Sequence, residues 1–513
     1  MLTELLSATA RILSDPWLMT LSIIGTAAGI VLGALPGISS TMALAILLPL
    51  SFAMPPEAAM VFLIAVFSAS VYGGSVSAIL INIPGTPGAI VTQLDGSPMA
   101  RQGKAGHALF YALFASTLGG LFGLIVLAFV APIIAGAAMS FRSPEFAAAA
   151  VFGLTMLAYA APGSTFKGIL TGAIGLLCGM VGFDTVTDVA RFDFGLTALQ
   201  GGIDMVPMTV GLFGLAEVMR SLGQRMDPGY RVPPVKDIFP PWRSLVRTWP
   251  ALLRGSAIGT LVGAIPAAGS AIAVAVAYAQ EAKFSKDPSR FGKGAPEGIV
   301  APESANNACV GGALIPMMTL GIPGDTMTAV LIGALLLHGL RPGPTLFAEH
   351  PDFVAVVYAA LLMAVVLTLV LGLVAVRYIA LILNAPRAIL LVAVAILCVV
   401  GAFAIRNTIE DVYIMIGFGL IGYTMMVLGL PVAPLAFGLI LGPLLEENIR
   451  RSLIVGDGSW AIFVTRPISL GLLILAALAV LYPLIAPPIK RRMQQARVDR
   501  NAARAAADRN ITC

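Results

Sequence analysis

The sequence predicts an all-α polytopic membrane protein of about 10–12 transmembrane helices, arranged in two related halves with broken or re-entrant helices. Three observations predict it. First, the 513 residues are 58% hydrophobic and only 11% charged, where a soluble domain carries roughly a quarter charged residues. A soluble fold this apolar could not cover its own surface. Second, residues 17–56, 58–94, 105–141, 353–376 and 412–445 contain no Asp, Glu, Lys or Arg. A helix needs only about 20 apolar residues to cross the hydrocarbon core, so several of these runs can hold a helix pair, or a crossing and a re-entrant turn. Third, Pro and Gly stand together inside those runs, where a helix must stop.

Taken from the N-terminus, residues 1–10 lack the basic leader and apolar run of a cleavable signal. The first span, near 17–35, is therefore expected to act as the targeting signal. Short runs at 39–54 and 432–445 are candidates for re-entrant segments. The expected organisation is a first membrane half over 1–219, a basic linker over 220–254, a second membrane half over 255–489 and a basic tail over 490–513. The linker carries Arg220, Arg225, Arg231, Lys236, Arg243, Arg247 and Arg254 against Asp227 and Asp237. Lys and Arg collect on the cytoplasmic side of membrane proteins, so linker and C-terminal tail are both expected there. The same bias accounts for the net charge of +5. Membrane lipid is the expected surroundings, and no nucleic-acid partner is implied. Cys178, Cys309, Cys398 and Cys513 are far apart and show neither metal-ligand nor disulfide spacing. Asp184, Asp188, Arg191 and Asp193 read as a solvated loop, and Arg406 as an ion-pair partner of Glu410 or Asp411.

The strongest internal signal is a repeat. Gly33-Ala-Leu-Pro-Gly-Ile-Ser-Ser-Thr41 recurs as Gly263-Ala-Ile-Pro-Ala-Ala-Gly-Ser-Ala271. Gly73-Gly74 followed by Ile83-Pro84-Gly85 recurs as Gly311-Gly312 followed by Ile322-Pro323-Gly324. The basic stretch then falls between two halves, where a linker belongs.

In lipid every backbone N–H and C=O needs a partner, so a helix break is tolerated only when it is buried or lines water. Interrupted helices at matching positions of two repeats point to the binding site of a transporter. Half-helix N-termini present free N–H groups to an anion. Unwound carbonyls and hydroxyls suit a bare cation. The candidate substrate-binding residues are Ser39, Ser40, Thr41, Asn82, Pro84, Gly85, Thr86, Ser270, Asn306, Asn307 and Gly324. The candidate cation-binding residues are Thr86, Thr319, Asp325 and Thr326. Close helix packing is the competing account of the glycines and prolines. Glu303 reads either as a polar group at the mouth of an apolar run or as an N-terminal cap. Asp325 reads as an intramembrane carboxylate with a function, or as a solvated loop residue.

The sequence resembles the large membrane subunit of the tripartite tricarboxylate transporter family. The resemblance rests on Gly33-Ala-Leu-Pro-Gly-Ile38, on Tyr72-Gly-Gly-Ser-Val-Ser-Ala-Ile-Leu-Ile-Asn-Ile-Pro-Gly-Thr-Pro-Gly88 and on Asp95-Gly-Ser-Pro-Met-Ala-Arg-Gln-Gly-Lys-Ala-Gly106. It continues through Pro302-Glu-Ser-Ala-Asn-Asn-Ala308 to Gly321-Ile-Pro-Gly-Asp325, and covers most of the chain. It implies a small four-helix membrane subunit and a periplasmic substrate-binding protein as partners. It also implies a bacterial inner membrane, and uptake of a carboxylate substrate such as citrate or another di- or tricarboxylate.

No organic cofactor is expected, and the expected coupling cation is Na⁺ or H⁺. The chain holds no Gly-x-x-x-x-Gly-Lys-Ser/Thr phosphate loop, in keeping with an ion gradient rather than ATP as the driving force. An ion-coupled carboxylate carrier needing no binding protein fits the same residues. An enzyme is not expected: an intramembrane aspartyl protease needs two facing aspartates, and Asp184, the partner available to Asp325, sits in an Asp/Arg-rich stretch.

Overall fold

A computed structural model describes residues 2–481, except 36, 161–164, 185–186, 224–234, 236, 267 and 384–386. The expected basic tail, residues 224–234 and Lys236 of the expected linker, and Pro36 lie outside the described residues. The fold is all-α and polytopic, as the sequence predicts. Among the described residues, six helices are long and apolar enough to cross a membrane, and five further apolar helices are shorter.

Chain order gives α1 (Leu2–Ser14), α2 (Pro16–Ala34), α3 (Ser40–Leu47), α4 (Pro56–Ile81), α5 (Gln93–Met99), α6 (Ala105–Ala138), α7 (Ser143–Ala160) and α8 (Thr165–Gly179). A two-stranded ribbon of β1 (Gly182–Phe183) and β2 (Ala190–Arg191) follows, then α9 (Met205–Leu222). The rest comprises α10 (Trp249–Gly263), α11 (Gly269–Phe284), α12 (Glu297–Leu320), α13 (Thr326–Leu337), α14 (Pro344–Glu349) and α15 (Pro351–Leu383). Helices α16 (Arg387–Arg406), α17 (Ile409–Val427), α18 (Ala433–Val455) and α19 (Pro467–Leu481) complete it.

Glycine at every fourth position lets helix backbones touch, which is how apolar helices gain contact where lipid offers no hydrophobic drive. A Cβ on Gly25, Gly29 or Gly33 of α2 would lie 2.7, 2.7 or 2.3 Å from the carbonyl oxygens of Phe62, Val66 and Ser70 in α4. On Gly255, Gly259 or Gly263 of α10 it would lie 2.3, 2.1 or 2.6 Å from those of Ala301, Ala305 and Cys309 in α12. Residues 58–81 of α4 are buried on every side, so this helix is apolar all round because other helices enclose it. Helix α6 locks against α12 through Gly119 and Gly123, which face the backbone of Ser304 and Ala308. A separate trio, α7, α8 and α18, packs through Gly175 on the Leu435 carbonyl and Gly438 on that of Gly172.

One buried carboxylate ties the parts together. Asp95 of α5 accepts from the backbone N–H groups of Lys293, Gly294 and Ala295 at 3.1, 2.8 and 2.7 Å, and from the Tyr278 hydroxyl at 2.8 Å.

Three expectations are corrected here. The run at 432–445 is not a short segment, since α18 continues to Val455. Its charged end stays helical because Glu446 pairs with Arg450 at 2.7 Å and Glu447 with Arg451 at 2.5 Å, each four residues on. Asp184 is 3% exposed rather than solvated. The ribbon turns it toward Arg191 at 3.3 Å and Arg450 at 2.6 Å. Glu303 is no helix cap, since α12 starts at Glu297 and Glu303 lies fully buried along it. Of the two carboxylates offered to Arg406, Asp411 takes it.

Candidate functional site

Four chain reversals bring helix starts to one place. After α4, Asn82 turns the chain with a left-handed φ of 55°. Gly85 then folds back and donates to the Gly74 carbonyl at 3.2 Å. No side chain fits there, because a Cβ on Gly85 would meet the Gly33 carbonyl oxygen at 2.3 Å. Thr86 follows and starts a short turn at Pro87. After α12, Gly321 makes the corresponding left-handed turn and Gly324 packs on Ala313. Asp325 then caps α13: its Oδ1 accepts from the Thr328 N–H at 2.8 Å, and the Thr328 hydroxyl accepts from the Asp325 N–H at 2.8 Å. Between α2 and α3, Ser39 caps by accepting from the Met42 N–H at 3.1 Å. Helix α11 starts at Gly269 with no side-chain cap.

The first turns of α3, α11 and α13 open on one cavity of about 450 Å³. Its polar side is Ser40, Thr41, Thr86, Ser270, Asn306, Asp325 and Thr326. Its apolar side is Val71, Leu157 of α7, Met426 of α17 and the stretch 430–434 with its two prolines, which leads from α17 into α18. Thr41 of α3 and Thr326 of α13 are joined by a hydroxyl pair at 2.6 Å.

Several groups at this cavity have nothing to bond. The Ser40 hydroxyl, the Thr86 hydroxyl and both amide atoms of Asn306 are buried and make no hydrogen bond. Burying a polar group without a partner costs about 1–3 kcal/mol. Four such atoms around one cavity are a cost that a bound polar ligand removes. The helix starts add positive potential, strongest at uncapped α11. The arrangement suits an anion held by neutral donors, with hydroxyls and the Asp325 carboxylate able to take a cation beside it.

The structure does not gather every candidate. Ser39 is occupied as a cap, and exposed Asn82 ends α4 away from the cavity lining. Pro84, Gly85 and Gly324 shape the reversals without lining the cavity. Thr319 donates back to the Ile315 carbonyl at 2.7 Å. Asn307 faces the other way, donating to the Ser116 hydroxyl at 2.8 Å and to the Glu303 carbonyl at 3.1 Å. Sequence reasoning missed Gly88. A Cβ there would lie 2.0 Å from Asn306 Oδ1 and 2.8 Å from Ser270 Oγ, so only glycine lets these two side chains approach that backbone. The Thr86-Pro87-Gly88 string was the available signal. The apolar wall at 430–434 was also missed, although Pro431 and Pro434 mark it. Among the described residues, no three His, Cys, Asp or Glu side chains gather as a metal site.

The profile of the tripartite tricarboxylate transporter TctA family matches residues 19–437, and so includes every residue of this cavity. An uncharacterized 52.8 kDa protein from the TAR-I ttuC' 3' region of Agrobacterium vitis is 36% identical over 476 residues, covering 93% of this chain and 95% of its own. An uncharacterized protein from the TAR-II ttuC' 3' region of the same organism is 37% identical over 241 residues, covering 47% of this chain and 99% of its own. No solved structure matches the chain.

Proposed function

Because the chain belongs to the tripartite tricarboxylate transporter TctA family, we propose that it is the transmembrane pathway of a binding-protein-dependent secondary transporter that imports di- or tricarboxylates, driven by an ion gradient. The observation that carries the reading is the cavity at the three helix starts, with Ser40, Thr86 and Asn306, whose polar side-chain atoms are unpartnered, among its lining residues. A multivalent carboxylate loses its hydration on entering the membrane, and an uncompensated charge there costs several kcal/mol or more. The polar wall offers what replaces water: hydroxyls, an amide and the first-turn N–H groups of α11. A cation beside Asp325 would offset the negative charge that this carboxylate sets against the substrate.

The two halves are read as a duplication. The glycine contacts of α2 on α4 and of α10 on α12 recur in the same order and spacing. The two halves would then share the cavity, with the α7–α8–α18 trio as the surface they move against. The substrate arrives from a periplasmic binding protein, and a small membrane subunit completes the complex in the bacterial inner membrane. The Lys/Arg bias supports a cytoplasmic linker and C-terminus.

The test is uptake of labelled citrate and other di- and tricarboxylates into proteoliposomes, with Na⁺ and proton gradients imposed separately. The vesicles hold both membrane subunits, and the binding protein is added outside. Uptake is expected only with the binding protein and at least one gradient. Uptake without the binding protein favours the self-sufficient carrier. Uptake indifferent to both gradients sinks secondary transport.

A further inference from the structure

We propose that Glu303 is the proton-binding site that couples the cavity to a proton gradient, an inference resting on the reading of the chain as a secondary transporter. Among the described residues, the other buried carboxylates all have strong partners. Glu145, Asp184, Glu217, Glu281 and Asp411 each pair with arginine. Asp95 and Asp325 accept from backbone N–H groups. Glu303, which is 0% exposed, has only hydroxyl partners: Thr92, Ser75 of α4, and Ser116 at 3.2 Å.

Among the described residues, no cation pairs with Glu303 from the elements packed on it. Helix α4 brings Tyr72 and, at its start, Glu57, which is held by Arg11. Helix α6 brings Ser116, and its His107 and Tyr111 lie nearer its start. On α10 and α11, Arg254 and Glu281 bind each other, while Tyr278 bonds Asp95 of α5 and Lys283 lies in the last turn of α11. On its own helix Glu297 pairs with Arg290. Helix α13 has no charged residue beyond its cap Asp325, which accepts from the Thr328 N–H, and α14, with Glu349, joins α12 near Met318. An ionised carboxylate in that setting costs several kcal/mol. It neutralises by taking a proton from water.

Geometry links this carboxyl to the cavity twice. Asn306 lies three residues along α12, about one helical turn away, with both amide atoms free at the cavity. Thr92 follows the stretch in which Thr86 and Pro87 line the cavity and Gly88 touches Asn306. An anionic substrate beside Asn306 adds negative charge near Glu303 and favours its protonated form. By linkage the proton favours the substrate equally. Proton and substrate then enter together, and the carboxyl returns its proton to water on the other side.

Proteoliposomes holding the full chain with both partners test this with labelled citrate. Wild-type uptake should rise under an inward proton gradient, and Glu303→Gln should lose that response about tenfold or more, while Glu303→Asp keeps part of it. A Glu303→Gln protein that responds like wild type overturns the proposal, as does wild-type uptake that answers to Na⁺ alone. Should Glu303→Gln fail to insert, Thr92→Val and Ser116→Ala carry the test. Each removes a donor to the ionised form, so the pH midpoint of uptake should rise by about one unit; unmoved midpoints count against it. If wild type takes up no citrate, the transport reading is what fails for that substrate, and infrared spectra of the purified protein decide on Glu303. A protonated-carboxyl band that fades on alkaline titration and is missing in Glu303→Gln supports the site. Identical spectra overturn it.

Discussion

The chain reversal after α4 and the one after α12 share a backbone plan and differ in the polar group they deliver. Each follows a left-handed residue, Asn82 or Gly321, and passes through Ile-Pro-Gly; Thr86 or Asp325 then reaches the cavity. Each glycine, Gly85 or Gly324, packs on the long helix it has just left, at Gly74 or Ala313. What comes next differs. Thr86 opens a single turn and keeps its hydroxyl unpartnered, whereas Asp325 starts a full helix and spends one oxygen capping it. The same fold of chain thus supplies a neutral donor from one side and a negative charge from the other. A site built from two matched but unequal reversals can hold an anion and a cation side by side.

The largest effect should come from breaking the shared plan. Gly33→Leu and Gly263→Leu each force a side chain into a backbone carbonyl, where overpacking costs about 1–3 kcal/mol or more. Both should sharply reduce the amount of folded protein recovered in detergent. If one is tolerated and the other is not, the two pairs do not carry equal weight. Next come the neutral donors. Removing a hydrogen bond to a charged group costs about 1.5–3 kcal/mol, or ten- to a hundredfold in affinity. Ser40→Ala, Ser270→Ala and Asn306→Ala should therefore raise the half-saturating substrate level by that range, with assembly intact. Unchanged transport in all three would reduce the matched reversals to helix packing.

Asp325→Asn sharpens the inequality between the reversals. It should weaken the dependence of uptake on the cation gradient more than it lowers expression, whereas Thr86→Val should act on substrate affinity. Equal effects of the two variants would remove the division of labour. Thr117→Ala is the smallest expected effect. That hydroxyl bonds the Leu113 carbonyl of its own helix at 2.9 Å, so uptake should hardly change.

The reversals were legible because Pro and Gly cannot continue a helix, and lipid forbids an unsatisfied break. From them followed Ser40, Thr41, Thr86, Ser270, Asp325 and Thr326, all of which reach the cavity. Helix facing was not legible. Asn306 and Asn307 are neighbours, but successive helical residues point about 100° apart, so one meets the cavity and the other meets Ser116 and Glu303. Composition around Asp184 suggested a solvated loop because its partner Arg450 lies 266 residues away. Long-range partners of this kind leave no local trace.

Asp95 carries a further consequence, in time rather than in space. Its three backbone partners follow it by 198 to 200 residues. At about 5–20 residues per second, the ribosome needs roughly 10–40 s to make them. Through that interval the carboxylate waits beside α4 and α6 without the amides that will hold it. The contacts that hold this carboxylate therefore form only once residues 293–295 have been made.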